Sequence, residues 1–237
     1  MRRPHLPDRL SGRGRWLGGA VLLVAVVVGL GLIAYLTPLM SVRSTEVDGV
    51  HTIAEDEVLR VADVASGTPL LQVDTSAVAQ RVAAIPAVET VRVQRSYPST
   101  LVITVVERVP LVIRHDGDNV LVLDRGGVTY MHFDRRGGVP PEILKLPAFE
   151  TPDPGPADPS TLAALKVVGE LPEPLAQQLE KISANSPVDI TLTLKGNRTV
   201  VWGGSDRTAD KARTLTALLT RKAKNYNVSS PEFPAYR

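Results

Sequence analysis

The stretch Leu17–Leu36, LGGAVLLVAVVVGLGLIAYL, constrains this chain more than any other, because it holds no charge in a run that continues uncharged from Trp16 to Val42. Twenty residues at about 1.5 Å rise span roughly 30 Å, the thickness of a bilayer's hydrocarbon core. Twelve of the twenty are Leu, Ile or Val; at about −0.3 to −0.6 kcal/mol each, their insertion sums to about −5 kcal/mol. Four glycines offset part of this, and no ionised group opposes it. The pattern predicts a transmembrane helix over residues 17–36. A cleaved signal peptide is the rival, but its apolar region is usually shorter, and Thr37-Pro38-Leu39 makes a poor cleavage site.

The flanks give direction. Arg2, Arg3, Arg9, Arg13 and Arg15 stand before the run against a single Asp8, and only Arg43 follows it before acidic residues begin. The positive-inside rule then places residues 1–16 as a short cytoplasmic tail and exports the rest, a single-pass type II arrangement in the cell membrane. The chain's formal net charge of +2 is misleading. Five of its 27 basic residues and one of its 25 acidic residues lie in residues 1–36, which leaves 22 basic and 24 acidic outside. No Lys/Arg stripe with stacking aromatics remains there, so nucleic acid is not an expected partner. With no cysteine, zinc–thiolate and disulfide chemistry are excluded.

Beyond the anchor, Val42–Val50 reads as a strand that ends at Gly49. Thr52 with Glu55 three residues on carries a capping-box signature for a helix with Val58, Leu59 and Ala62 on one face. Ser66-Gly67-Thr68-Pro69 breaks it. Asp74 or Thr75 caps a second helix that places Val78, Val82 and Ile85 together, with Pro86 past its end. Val88–Gln94 and Thr100–Arg108 alternate around Ser96-Tyr97-Pro98-Ser99, which predicts an antiparallel hairpin with Leu101, Ile103 and Val105 inward. Strand, helix, helix, strand, strand is an α+β unit with its helices on one sheet face.

That order, and the residues in it, resemble the POTRA domain of the FtsQ/DivIB family of bacterial cell-division proteins. The resemblance rests on Val47-Asp48-Gly49-Val50, Gly67-Thr68-Pro69-Leu70-Leu71-Gln72-Val73-Asp74 and Ile85-Pro86-Ala87-Val88. It closes on Arg95-Ser96-Tyr97-Pro98-Ser99-Thr100-Leu101, followed by Ile103, Val105 and Glu107-Arg108-Val109-Pro110. Any one element is weak; the ordered set is specific. Glu107-Arg108 by itself is most often a solvated pair, and the turn residues serve the turn first. The resemblance implies a POTRA domain over residues 42–109 and the family's β domain over 110–237.

In that second half, Leu111-Val112-Ile113 and Val120–Leu123 flank a turn at Asp116–Asn119, and Asp124-Arg125-Gly126-Gly127 turns into Val128–Phe133. Pro140-Pro141 and the Thr151–Pro159 run are loops. Two short helices are expected at Thr161–Gly169 and Leu175–Ile182, then a hairpin of Val188–Leu194 and Thr199–Trp202. Asp206 or Ser205 is expected to cap a helix from Thr208 to Lys224, with Ala212, Leu215 and Leu219 inward and Arg221, Lys222 and Lys224 in its last turn. The result is a mixed sheet with flanking helices. The Leu123–Gly127 turn and Val201-Trp202-Gly203 resemble the family's β domain, and Val228-Ser229-Ser230-Pro231 resembles its actinobacterial members.

No G-x-S-x-G, S-x-x-K, H-E-x-x-H or Walker sequence is present, so the chain does not read as an enzyme. His5, His51, His115 and His132 are scattered; His115-Asp116 and His132-x-Asp134 come nearest to metal spacing, well short of four convergent ligands. Gly203-Gly204-Ser205-Asp206 before a helix could receive an anion, but Asp206 disfavours one. Catalytic residues, metals and cofactors are therefore not expected.

Such a domain acts by binding. The resemblance implies a septal scaffold that binds FtsB/DivIC-like and FtsL-like membrane proteins, with septal wall synthases as further candidates, and that helps control septal wall synthesis. It implies the docking strand at Tyr226, Asn227, Val228, Ser229, Ser230 and Pro231, where an edge's unpaired backbone would accept a partner strand. The competing view is that this strand only closes its own sheet. Two other functions compete: a POTRA receptor for protein transport or assembly, which needs repeated units or a barrel, and an anchored wall hydrolase, which needs a nucleophile or paired carboxylates.

Overall fold

The computed structural model describes residues 11–36 and 40–237, with the side chains of the first helix described at 18–29 and Gly31. Helix α1, Ser11–Leu36, is 26 residues long. It begins at Ser11, so the expected tail is helical over its last six residues, and residues 1–10 and Thr37-Pro38-Leu39 lie outside the described residues. Among the described residues no helix is long and apolar enough to cross a membrane, the described side chains of α1 being only part of the apolar run. Those side chains are bare all round: Val21, Leu22, Leu23 and Val24 are each more than 60% exposed.

The chain divides into two compact units, with the boundary in sequence between Glu107 and Arg108. The first has β1 (Ser44–Asp48), α2 (Glu55–Ala62), α3 (Thr75–Ala83), β2 (Val88–Ser96) and β3 (Thr100–Glu107), the expected order. Its sheet runs β1-β3-β2, with β1 parallel and β2 antiparallel to the central β3. Leu101, Ile103 and Val105 bury one face of β3 against Val58 and Ala62 of α2 and Val78 and Val82 of α3. Each such aliphatic side chain contributes about 1.5–3 kcal/mol on burial.

Local chemistry fixes the ends of these elements. The Asp74 carboxylate caps α3 by accepting from the Ser76 and Ala77 N–H groups, each at 3.0 Å. Arg95 on β2 donates to the carbonyls of Leu70 and Val73, both at 2.7 Å, which explains why the Gly67–Asp74 segment and Arg95 belong to one pattern. Gly49 takes φ +83°, and a Cβ there would stand 2.2 Å from the Val105 carbonyl oxygen, so only glycine fits. The capping box does not form. Ala54 is the N-cap of α2 and makes no side-chain bond, because Thr52 is drawn elsewhere: its hydroxyl donates to Glu107 Oε2 at 2.6 Å.

The second unit has β4 (Val112–Asp116), β5 (Asn119–Leu123), β6 (Thr129–Asp134), β7 (Ala148–Glu150), α4 (Pro159–Glu170), α5 (Glu173–Ala176), β8 (Leu179–Ser186), β9 (Asp189–Leu194), β10 (Arg198–Gly203), α6 (Thr208–Leu218), β11 (Asn225–Asn227) and β12 (Ala235–Tyr236). The described strands form one nine-stranded mixed sheet, β12-β11-β10-β9-β8-β7-β4-β5-β6. Its core joins Leu165 and Val168 of α4, Ala212 and Leu215 of α6, and Phe149, Ile182, Ile190, Leu192, Trp202 and Tyr226 from the strands.

Three expectations are corrected here. Leu175–Ile182 is not a helix: the chain leaves α5 at Ala176 and enters β8, which pairs with β7 on one side and β9 on the other. Leu179, Ile182 and Ala184 all reach the core from that central strand, so sheet pairing overrides local helix propensity. Helix α6 stops at Leu218, which leaves Arg221, Lys222 and Lys224 beyond its last turn. Its N-cap is Arg207, in a left-handed conformation, and not Asp206 or Ser205.

Candidate partner-docking edge

β10 and β11 are parallel, so the chain must cross over between them, and α6 makes that crossing. Val200 pairs with Tyr226 and Val201 with Asn227, and the Val228 N–H extends the ladder to the Val201 carbonyl at 3.0 Å. Tyr226 and Val228 turn inward and are buried. The Tyr226 hydroxyl donates to the carbonyls of Arg221 and Ala223, at 2.9 and 3.0 Å, and so folds down the loop after α6. Asn227 Oδ1 accepts from both the Ser229 N–H and its hydroxyl, at 3.0 and 2.7 Å. Gly203, at φ +79°, lies where a Cβ would be 2.9 Å from Ser229 Cβ.

The predicted site residues Tyr226, Asn227, Val228, Ser229, Ser230 and Pro231 are thus brought together, but not as an open edge. β11 is paired on both sides, because the chain turns (Phe233 N–H to the Ser230 carbonyl, 3.0 Å) and lays β12 along it. The Tyr226 and Val228 side chains are in the core, where no partner strand reaches them. The physical reason is the edge itself: its bare N–H and C=O groups are satisfied by the nearest available backbone.

The outermost backbone belongs to β12. Asn225 and Arg237 exchange both hydrogen bonds, N–H to carbonyl at 3.0 Å in each direction. Tyr226 and Tyr236 are the next pair. Antiparallel pairs alternate, so the Tyr236 N–H and C=O point away from β11, toward whatever lies beyond the sheet. Pro234 before it has no N–H to offer. Phe233, at the turn, is 86% exposed. The tail is held by an ion pair between Arg207 and Glu232; a hydrogen bond from the Glu232 backbone N–H, and after it the hydrogen bond from Arg207, draw the Glu232 carboxyl below its ordinary pKa. β12 carried no sequence signal, since two residues cannot show a period.

Nearby, Trp202 is fully buried, and its Nε1 has no partner among the described residues. It is a core residue and not a stacking platform. The Gly203–Asp206 turn does not offer an anion site. The buried Lys211 Nζ donates to the Gly204 carbonyl at 2.8 Å and to Asp206 Oδ1 at 3.3 Å, lowering the Asp206 pKa against a smaller effect of burial. Its position one turn after Thr208 and one before Leu215, on the inward stripe, was the signal that could have found it. His115 Nδ1 meets the Arg135 guanidinium at 2.8 Å, and no cluster of three or more His, Asp or Glu able to hold a metal occurs among the described residues.

Comparison with known proteins agrees with this architecture. Residues 40–108 match the family model "POTRA domain, FtsQ-type", and residues 111–230 match "Cell division protein FtsQ/DivIB, C-terminal". The chain is 50% identical over 218 residues to the cell division protein FtsQ of Mycolicibacterium smegmatis, covering 92% of this chain and 63% of that protein. It is 45% identical over 232 residues to FtsQ of Mycobacteroides abscessus, covering 96% and 73%. To FtsQ of Mycobacterium tuberculosis it is 45% identical over 236 residues, covering 98% and 73%. The chain therefore spans between about three fifths and three quarters of the length of these relatives. Two family models that together cover most of the chain, in the order the strands and helices display, place it in the FtsQ/DivIB family of bacterial cell-division proteins.

Proposed function

We propose that the chain is a bitopic scaffold of the septal division machinery, anchored by α1 with its N-terminus in the cytoplasm. It binds FtsB/DivIC-like and FtsL-like membrane proteins through the β11–β12 end of its larger sheet and so helps control septal wall synthesis. It does so by binding, without turnover. Family membership supports the division role. A helix whose described aliphatic side chains are exposed on every side suits lipid as its solvent, and the arginines before it set its direction.

The observation that carries the docking site is the outward N–H and C=O of Tyr236 on a two-residue edge strand. An added partner strand satisfies both groups and lengthens the sheet. Tyr226–Pro231 supports that edge from behind, through Tyr226, Val228 and the Asn227–Ser229 turn. Co-purification of the full chain with such partners from detergent-solubilised membranes tests this. Tyr236→Pro, which removes the outward N–H, should cut capture at least about tenfold while the unfolding transition is kept; undiminished capture overturns it. A reporter fused after Arg237 should be active only in an exported compartment, and cytoplasmic activity overturns the orientation.

A further inference from the structure

Five cationic side chains line one wide, open cleft at the end of this edge. Lys195 comes from the β9–β10 turn and Arg198 from the start of β10, Lys222 and Lys224 come from the loop after α6, and Arg237 follows β12. The cleft measures about 810 Å³, and no carboxylate side chain lines it. Among the described residues, Lys195, Lys222, Lys224 and Arg237 form no ion pair with a carboxylate. Arg198 is fixed in place by its Nε bond to the Lys195 carbonyl and its NH2 bond to Gln178 Oε1, both 2.8 Å.

General basicity does not account for the cluster, because beyond residue 36 the chain has fewer basic than acidic residues, 22 against 24. The dipole of α6 does not account for it either. That effect fades within the last turn, and Lys222 and Lys224 lie past Leu218. Like charges within a Debye length, about 10 Å at 0.1 M salt, repel one another. No carboxylate side chain lining the cleft offsets these cations, which leaves that role to a binding partner.

We propose that the cleft receives the carboxylates of an acidic peptide stretch, contiguous in the partner with the segment that pairs with Tyr236. This rests on the docking edge proposed above and adds the partner's charge. Asn225 and Arg237 line both this cleft and a smaller groove of about 300 Å³ over Thr199, Val201 and Tyr236. An extended chain leaving Tyr236 at about 3.3 Å per residue reaches the cations within a few residues. The cations come from three separate segments, with no helix N-terminus among them. Such a spread field suits several carboxylates in a row better than one phosphate.

The test uses the full chain in detergent micelles with a fluorescein-labelled octaglutamate peptide. Binding at low salt should weaken about tenfold in Lys222→Glu/Lys224→Glu, as two modest attractions become repulsions. Lys195→Glu, from another segment, should weaken it too. Lys145→Glu, at an exposed lysine elsewhere in the unit, and Tyr236→Pro should leave it unchanged. Octaglutamate that fails to bind, binds the double variant equally, or is lost with Lys145→Glu overturns the cleft. So does tighter capture by phosphatidylglycerol vesicles or competition by millimolar inorganic phosphate, which would assign the cations to phosphate chemistry. If the peptide results hold but Tyr236→Pro still captures the membrane partner, the cleft stands and the strand edge falls.

Discussion

The Thr52 hydroxyl donates to Glu107 Oε2 across 2.6 Å, joining the loop after β1 to the end of β3, 55 residues away. The Glu107 carboxylate also accepts the N–H groups of His51, Thr52 and Ile53, at 2.7 to 3.1 Å. Burial opposes ionisation there, but the Thr52 hydroxyl and the three backbone donors outweigh it and pull the Glu107 pKa down from 4.5 to about 2.

A carboxylate held low in the folded state binds fewer protons there than in the unfolded chain. Its stabilisation is complete above about pH 4.5 and is lost as pH falls toward about 2. The first unit should therefore lose stability through that window, and Glu107→Gln should flatten the dependence. At pH 7 the same substitution should cost about 1.5–3 kcal/mol, the worth of hydrogen bonds to a charged group. Denaturant unfolding across the pH range measures both. An unchanged acid limb in Glu107→Gln would remove the carboxylate from this role.

The neighbouring residue anchors the other unit. Arg108 pairs with Asp124, which is 2% exposed and whose Oδ1 accepts from the Gly126 and Val128 N–H groups at 2.9 Å each. Arg108→Ala leaves a buried carboxylate without its cation, at a cost of about 3–5 kcal/mol. The prediction is a lowered unfolding transition for the second unit only, followed by hydrogen exchange. Equal loss in both units would contradict it.

Gly203 predicts a steric effect. Alanine there must hold φ near +79° and push against Ser229, whose turn precedes β12. Gly203→Ala should destabilise by more than about 1 kcal/mol and raise exchange at Asn225–Asn227 first. Exchange rising uniformly across the unit would place the strain elsewhere.

The β-α-α-β-β unit was legible because each element has its own local signal: alternation in β3, the Asp74 cap, the Val78/Val82/Ile85 stripe. Where the reading failed, a distant partner decided. Thr52 and Glu55 have the spacing of a capping box, but Glu107 offers Thr52 a charged acceptor that no local window contains. Leu175, Leu179 and Ile182 fit a helical stripe as well as they fit a strand, and only pairing with Phe149 and Leu192 settles the matter. At the docking end, the extended character of Tyr226–Val228 was legible. That the chain folds back to cover it was not, because Ala235–Tyr236 owes its strand to the edge it meets.

That fold-back decides how the docking edge must be probed. Val228→Pro is a poor probe, since the Val228 N–H bonds to the Val201 carbonyl and the side chain is fully buried; it should damage the domain itself. Tyr236→Pro is the discriminating change. It removes an N–H that β11 does not use, keeps Ala235 in the extended region it already occupies, and leaves the Arg237–Asn225 bonds intact. Tyr236→Thr keeps the donor and a β-favouring shape. If a partner strand adds at this edge, the Pro variant forfeits a net hydrogen bond of about 0.5–1.5 kcal/mol and also meets the proline ring where the strand should lie. Partner capture should fall by at least about tenfold, and cells relying on the variant should fail to divide. The Thr variant should behave as wild type, and both should unfold at the wild-type midpoint. Equal capture by the Pro and Thr variants would show that the sheet's last strand is not where the partner docks.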